Sequence, residues 1–323
     1  MNNQLAFIAK VKNLHSNEKL VSIISEVLSI SADAAYRRIN GKTVLSYDEA
    51  IKLAQHFNIS IDNNFRHKGV FFDLQNPLPI SNNFEEFTNA MLSIFESDHG
   101  NTKIYYAAKD IPFYYFALLP ELATFKLYYW ANTIQFGNDY KKTKFNFQLN
   151  TQEQITQIQK FSDSFTTMAA VEIWNDESFQ SILLQIQYYN ELGYFESVTI
   201  ANHLYDTVLK LIDVLETQCE EGLKVNVKKG NSTSLTSAIY KFYYNPVLYL
   251  DNSIIIEQAS KLKQMLPFNA VDYLVTTDIE FISKNLNWFN KQLEKSLCYS
   301  QQAEKERRLF FTRMRKLINS FKK

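Results

Sequence analysis

A chain of 323 residues is long enough for two domains, and a 46% hydrophobic content with 25 Phe and 19 Tyr excludes wholesale disorder. Seven Gly and six Pro point to a helix-rich fold. The two cysteines, Cys219 and Cys298, are too far apart for a C-x-x-C site and fit a reduced cytoplasmic protein better than a disulfide scaffold. The net charge of zero does not exclude nucleic acid, because it is unevenly spread. Residues 1–68 carry nine basic and six acidic side chains, residues 303–323 eight and two, and the remainder 17 and 26. A basic head and tail flank an acidic body, and a phosphate backbone responds to local charge.

In chain order, Leu5, Ile8 and Val11 predict a first helix over residues 4–12. The N-terminus has neither a continuous apolar run nor a small-residue cleavage site, so secretion is not expected. Asn17 is read as the cap of a second helix, 18–28, with Leu20, Ile23, Ile24, Val27 and Leu28 at helical spacing. A third helix is predicted over 32–39 and stops at Asn40-Gly41, since Gly adopts the left-handed conformation freely. Ser46 opens a fourth, 47–57, with Glu49 three residues on as in a capping box. Asp62-Asn63-Asn64 and Asn76-Pro77-Leu78-Pro79 read as joints, with a short strand between them over Gly69–Leu74. The expected division is therefore a head over 1–65, a linker over 66–80 and a body over 81–323.

The body reads as a strand over 103–108, helices over 119–135, 151–169, 177–191 and 195–220, and strands over 223–228, 238–244, 247–250, 253–257 and 272–276. Helices over 278–297 and 301–321 complete it. The fold class expected is α+β: an all-α head of four to five helices, then a helix-rich body around an antiparallel or mixed sheet. Ile111 to Trp130 is the longest apolar stretch, but Pro112, Pro120, Glu121 and Lys126 interrupt it, which suits a core segment rather than a membrane span. Ten aromatic residues crowd positions 105–130. Core alone is the favoured reading, and the alternative is that some face a second partner, a ligand pocket or a dimer surface. The final helix sets Leu309, Phe310, Met314, Leu317, Ile318 and Phe321 on one stripe and its basic residues on the other.

The segment Ser29-Ile-Ser-Ala-Asp-Ala-Ala-Tyr-Arg-Arg-Ile-Asn-Gly-Lys-Thr resembles the recognition unit of the lambda-repressor-like (Xre-type) helix-turn-helix family. Leu45 to Asp62 is similar to the family's next helix and its closing phrase, so the resemblance covers about a fifth of the chain. It implies base-facing positions at Ala32, Asp33, Tyr36 and Arg37, with Ser31, Asn40, Lys42 and Thr43 lying against phosphates. Arg37 is the candidate for bidentate reading of guanine, and Ala32 for packing on a thymine methyl. Arg38 stands where family members usually carry a large apolar residue. It is read either as a phosphate clamp with a packed stem, or as the sign of a rotated helix with Tyr36 and Ile39 filling the core.

No phosphate loop, nucleophile elbow or histidine metal motif occurs, and the five histidines are scattered. The expectation is no enzyme, no cofactor, no metal and no membrane partner. The implied function is sequence-specific regulation of transcription by a homodimer on a palindromic operator in double-stranded DNA. The body would dimerise or sense a small-molecule or peptide effector. The alternative is a protein–protein adaptor or antitoxin-like partner that also binds its own promoter.

Overall fold

The computed structural model describes residues 3–12, 17–57, 59, 69–75, 102–134, 144–227, 233–259, 261–268 and 272–322. The expected joints at 62–64 and 76–79 lie outside these residues. The chain divides into two compact units, Met1–Gly69 and Val70–Lys323.

The first unit is helical: α1 (Asn3–Lys12), α2 (Asn17–Leu28), α3 (Ala32–Ile39) and α4 (Tyr47–Phe57). Its core collects one residue or pair per turn: Phe7, Ile8 and Val11 from α1, Leu20, Ile24 and Leu28 from α2, Ala35 and Ile39 from α3, and Leu53, Ala54 and Phe57 from α4. The small Ala35, fully buried, lets the short α3 lie close to its neighbours.

The second unit is a mixed sheet of nine strands with helices on both faces, so the fold is α+β. In chain order it comprises β1 (Asp73–Gln75), β2 (Thr102–Ala108), a helical turn Phe113–Phe116, α5 (Pro120–Ile134), α6 (Gln152–Thr166) and β3 (Ala169–Trp174). A 3-10 turn Asp176–Phe179 leads into α7 (Gln180–Glu191) and α8 (Ile200–Glu221). Then come β4 (Leu223–Val227), β5 (Thr233–Tyr244), β6 (Ile254–Gln258), β7 (Lys261–Phe268), β8 (Asp272–Thr276), α9 (Ile279–Glu294), β9 (Leu297–Cys298) and α10 (Glu304–Phe321). The strand order is β1-β8-β7-β6-β2-β3-β5-β4, with β9 added to β5. β3 runs parallel to β2 and β5, and the other pairings are antiparallel.

Alternation along the strands divides the core between two faces. Ile104, Tyr106 and Ala108 of β2, Ala170 and Trp174 of β3, and Tyr240 and Phe242 of β5 pack with α5, α6, α7, α8 and α10. Tyr105, Ala107, Val171, Ile173 and Ile255 point to the other face, where Ile282 and Phe289 of α9 cover them.

Several expectations are corrected here. Val247–Leu250 is not a strand, whereas β3, β7 and β9 were not anticipated. The short strand expected over 69–74 is present with shifted bounds, as the edge strand β1 over Asp73–Gln75 against β8. The crowded aromatics are core, in line with the favoured reading: seven of the ten are buried, and Phe113, Tyr129 and Trp130 are packed against that core. Tyr105 and Tyr106 are enclosed because β2 lies inside the sheet and is covered on both faces, and the other eight pack from the turn Phe113–Phe116 and from α5. In α10 the buried set is Arg307, Phe310, Phe311, Met314 and Ile318, while Leu309 faces outward. The basic side chains of α10 are largely engaged. Arg313 pairs with Asp176 at 2.6 Å, Arg315 with Asp213 and Glu216, Lys322 with Asp206, and Arg308 with Glu304. Among the described residues, no helix is long and apolar enough to cross a membrane.

Candidate nucleic-acid interface

Helix α3 is only eight residues long, so its ends decide whether it forms. At the start, the Ser31 hydroxyl accepts from the Ala34 N–H at 3.3 Å. At the end, the Lys42 N–H donates to the Arg37 carbonyl at 2.8 Å and the Gly41 N–H to the Arg38 carbonyl at 3.1 Å. These are the two bonds of a Schellman motif. Gly41 sits at φ +70, and a Cβ there would lie 3.1 Å from Leu5 Cδ2. The Asn40 amide folds back to donate to the Tyr36 carbonyl at 2.9 Å.

The loop after α3 is held from α1. Gln4 Nε2 donates to the carbonyls of Arg38 and Thr43, each at 2.8 Å, and its Oε1 accepts the Leu45 N–H at 2.9 Å. One amide side chain thus fixes the far end of α3 and the approach to α4. Sequence reasoning missed Gln4, because nothing in a lone glutamine indicates a contact to residues about forty positions away.

With both ends fixed, Ala32, Asp33, Tyr36, Arg37 and Asn40 share one exposed face of α3. Ser31 precedes this face and Lys42 follows it, both exposed, and Thr43 is half-buried. Arg37 Nη2 lies 2.7 Å from Asp33 Oδ2 one turn earlier, so the acid aligns the guanidinium along the helix and offsets its charge. The backbone N–H groups of Lys42 and Thr43 both donate to the Arg37 carbonyl and are spent inside the loop. Only their side chains face outward.

Arg38, read from the sequence either as a phosphate clamp with a packed stem or as the sign of a rotated helix, pairs with an acid of α4. Its Nε and Nη2 bond Glu49 of α4 at 3.0 and 2.8 Å, and its Nη1 donates to the Ala34 carbonyl. Both side chains of the pair are about four-fifths buried (17% and 21% exposed). The bond to Glu49 raises the Arg38 pKa, and the bond from Arg38 holds Glu49 below the usual carboxylate range. Glu49 also accepts from the Ser46 N–H at 3.0 Å while the Ser46 hydroxyl accepts from the Glu49 N–H, which completes the capping box read from the sequence. Tyr36 is 54% exposed and does not fill the core, whereas Ile39 does. The Arg38–Glu49 ion pair thus ties α3 to α4.

Among its described residues the body holds a buried polar constellation. Glu172 on β3 is completely buried and accepts from Tyr114 (2.8 Å), Tyr115 (2.9 Å), Tyr240 (2.9 Å) and Trp174 Nε1 (2.9 Å). Lys224 Nζ, also completely buried, lies 3.5 Å from Glu172 and 3.9 Å from the Phe165 ring centroid. Burial pushes the Lys224 ammonium down to about 8 against the opposing pull of Glu172. Burial first, then Glu172, raises the phenols of Tyr114, Tyr115 and Tyr240 well above their usual value. A second buried lysine, Lys126, donates to Gln185 at 2.8 Å among Phe116, Tyr129 and Trp130, and burial lowers it to about 8 as well.

The polar groups at the strand ends act as caps. Asp278 accepts from the Phe281 N–H to start α9, and Asn252 Oδ1 accepts the Asp110 N–H. A cleft of about 300 Å³ is lined by Leu119, Lys210, Asp213, Val214, Thr217, Val227 and Thr233. Asp213 there is already paired with Arg315. Among the described residues, no group of three or more His, Cys, Asp or Glu is placed to hold a metal ion, and Cys219 and Cys298 are free thiols. Comparison of the chain with protein-family models, with curated proteins and with solved structures returns no match.

Proposed function

We propose that this chain is a sequence-specific DNA-binding regulator of transcription of the lambda-repressor-like kind, with α3 as its recognition helix. The observation that carries this reading is the single exposed face of α3, residues 32, 33, 36, 37 and 40, on a helix whose two ends are fixed by caps and by Gln4. A major groove admits one helix, and a helix that reads bases must keep a constant orientation as it enters. The basic excess of residues 1–68 supplies the charge that a phosphate backbone attracts. Arg37 reads a guanine edge once it exchanges Asp33 for the base. Lys42, Ser31, Asn40 and Thr43 lie against the backbone, and Arg38 positions α3 through Glu49 rather than touching DNA. Two copies would occupy the two halves of a palindromic operator, with the second unit as the tether between them. Among the described residues of that unit, the exposed acids Asp176, Asp206 and Asp213 are paired with basic side chains of the C-terminal segment, which suits dimerisation or effector binding better than proton transfer.

The test is selection of bound duplexes from a random pool by the full chain, followed by affinity measurements on the enriched site over a salt series. Arg37→Ala is expected to lose about 1–3 kcal/mol on that site and to relax preference at one base pair. Lys42→Ala is expected to weaken all sequences alike and to lower the salt slope by about one. No enrichment from the pool, or equal effects of both substitutions on every sequence, overturns the reading.

A further inference from the structure

We propose that the outward face of α7 is the seam through which two copies of this chain pair about a two-fold axis. The helix buries Ile182, Leu183, Ile186 and Tyr189. On its opposite side Leu184 is 53% exposed, Tyr188 59% and Leu192, the residue that ends it, 50%. Their i, i+4, i+8 spacing makes one ridge inclined to the helix axis, and Tyr194, 39% exposed, follows just beyond the helix with its ring on that of Tyr189.

Two properties of this face select a second copy as its occupant. The first is charge. No Lys or Arg occurs between Lys160 and Lys210, and α7 itself carries one charge, Glu191 at its last position, hydrogen-bonded to Gln187. Across a two-fold axis a surface meets itself, so any charge at the centre meets its own kind. A stripe without charge and with glutamine and serine at its flanks is complementary to itself. The second is area. Large apolar side chains of roughly 150–250 Å² each, about half exposed, give on the order of 400 Å² from these four residues. Doubled by symmetry, that supplies about 800 Å² of the roughly 1,000 Å² that a stable interface needs, the rest coming from the polar rim around the stripe. Val247 and Tyr249, 90% and 82% exposed, are more accessible individually, but they stand in a loop, and Lys109 lies over the Tyr249 ring.

The pairing geometry follows from the spacing. If two antiparallel copies of α7 cross at Tyr188, Leu184 lies about 6 Å along the helix on one side of the axis and faces the partner's Leu192 on the other. The role of this seam rests on the DNA-binding reading above, since two tethered heads serve a palindromic site, but the seam itself is testable without DNA.

The experiment is sedimentation of the full chain at micromolar concentration, with circular dichroism to confirm folding of each variant. The wild type is expected as a dimer, and Leu184→Arg is expected to weaken it at least tenfold. The double variant Leu184→Arg/Leu192→Glu sets opposite charges across the axis and is expected to recover dimer. Val247→Arg is expected to leave the dimer unchanged. A monomeric wild type, or a dimer indifferent to Leu184→Arg, overturns the proposal. If the double variant fails to recover what the single one lost, the antiparallel crossing at Tyr188 is overturned. DNA binding that survives a failed seam leaves the functional reading standing. A seam that behaves as expected in a protein that selects no DNA leaves the interface standing without that function.

Discussion

Arg37 and Arg38 are adjacent, yet one faces outward against a neighbour on its own helix and the other ties two helices together. Position 38 stands out in the sequence because the family that the segment resembles usually carries a large apolar residue there. Its partner could not be named there, since Glu49 already had a complete local role in the capping box. Arg38→Ala should cost the head about 1–3 kcal/mol, because Glu49 loses its charged donor in a mostly buried setting. A double-mutant cycle with Glu49→Ala, read by thermal unfolding, should return a coupling of at least 0.5 kcal/mol. The depressed pKa of Glu49 makes its contribution full above the ordinary carboxylate value, and it is lost as the pH falls through the folded one. The buried lysines act in the opposite sense to usual ammonium groups. Lys126 and Lys224 bind protons more weakly folded (about 8) than unfolded (about 10.4), so the unfolded chain is favoured by protonation. Denaturant midpoints of the full chain should therefore rise from pH 8 towards pH 10. Lys126→Met should flatten part of that rise. Above pH 10 the buried tyrosines reverse it, since only the unfolded chain ionises readily there.

Among the elements, α3 and α4 were legible to the residue because their caps are local: Ser31, Gly41 and the Ser46–Glu49 box each act within six residues. β3 was not legible. Helical periodicity from α6 runs on to Ala169, and Glu172 interrupts the apolar run that marks an interior strand. What makes Ala169–Trp174 a strand is its position between β2 and β5, together with the donors around Glu172 supplied by residues 57 and 68 positions away. Val247–Leu250 failed for the converse reason: its β-prone residues have no neighbouring strand to pair with, and Val247 and Tyr249 face outward. At the same scale, Gly41→Ala should destabilise α3 by about 1–2 kcal/mol, since it forces a side chain into a left-handed conformation against Leu5. Ser31→Ala should cost about 1 kcal/mol by removing the N-cap. Both are read by thermal unfolding, and equal stability of the Gly41→Ala variant would show that the loop opens without cost.

For the whole molecule, residues 1–69 contain their own buried core and should fold alone as a helical unit, visible by circular dichroism. On the selected operator this fragment should bind at least tenfold more weakly than the full chain, because two tethered heads gain an effective concentration that one lacks. Equal affinity of fragment and full chain would show that the second unit contributes nothing to occupancy. The charge asymmetry seen in the sequence is only half realised. Four of the eight basic residues of 303–323, Arg307, Arg313, Arg315 and Lys322, pair with acids elsewhere in the second unit, so this segment helps to hold that unit together.

The buried carboxylate of Glu172 also governs which way β3 can enter the sheet. Its neighbours Val171 and Ile173 point to the α9 face, and Glu172 points to the face that carries Tyr114, Tyr115, Tyr240 and Lys224. A slip of one residue in either direction would turn all of them over. Glu172 would then be buried beside Ile255, Ile282 and Phe289 with no donor, and Lys224 would keep its charge with no counterion, each a cost of several kcal/mol. A strand of plain valines and isoleucines would tolerate that slip. One acid in the middle of the sheet therefore acts as a registration mark, rejecting misaligned pairings of a strand whose two parallel partners are both distant in the chain.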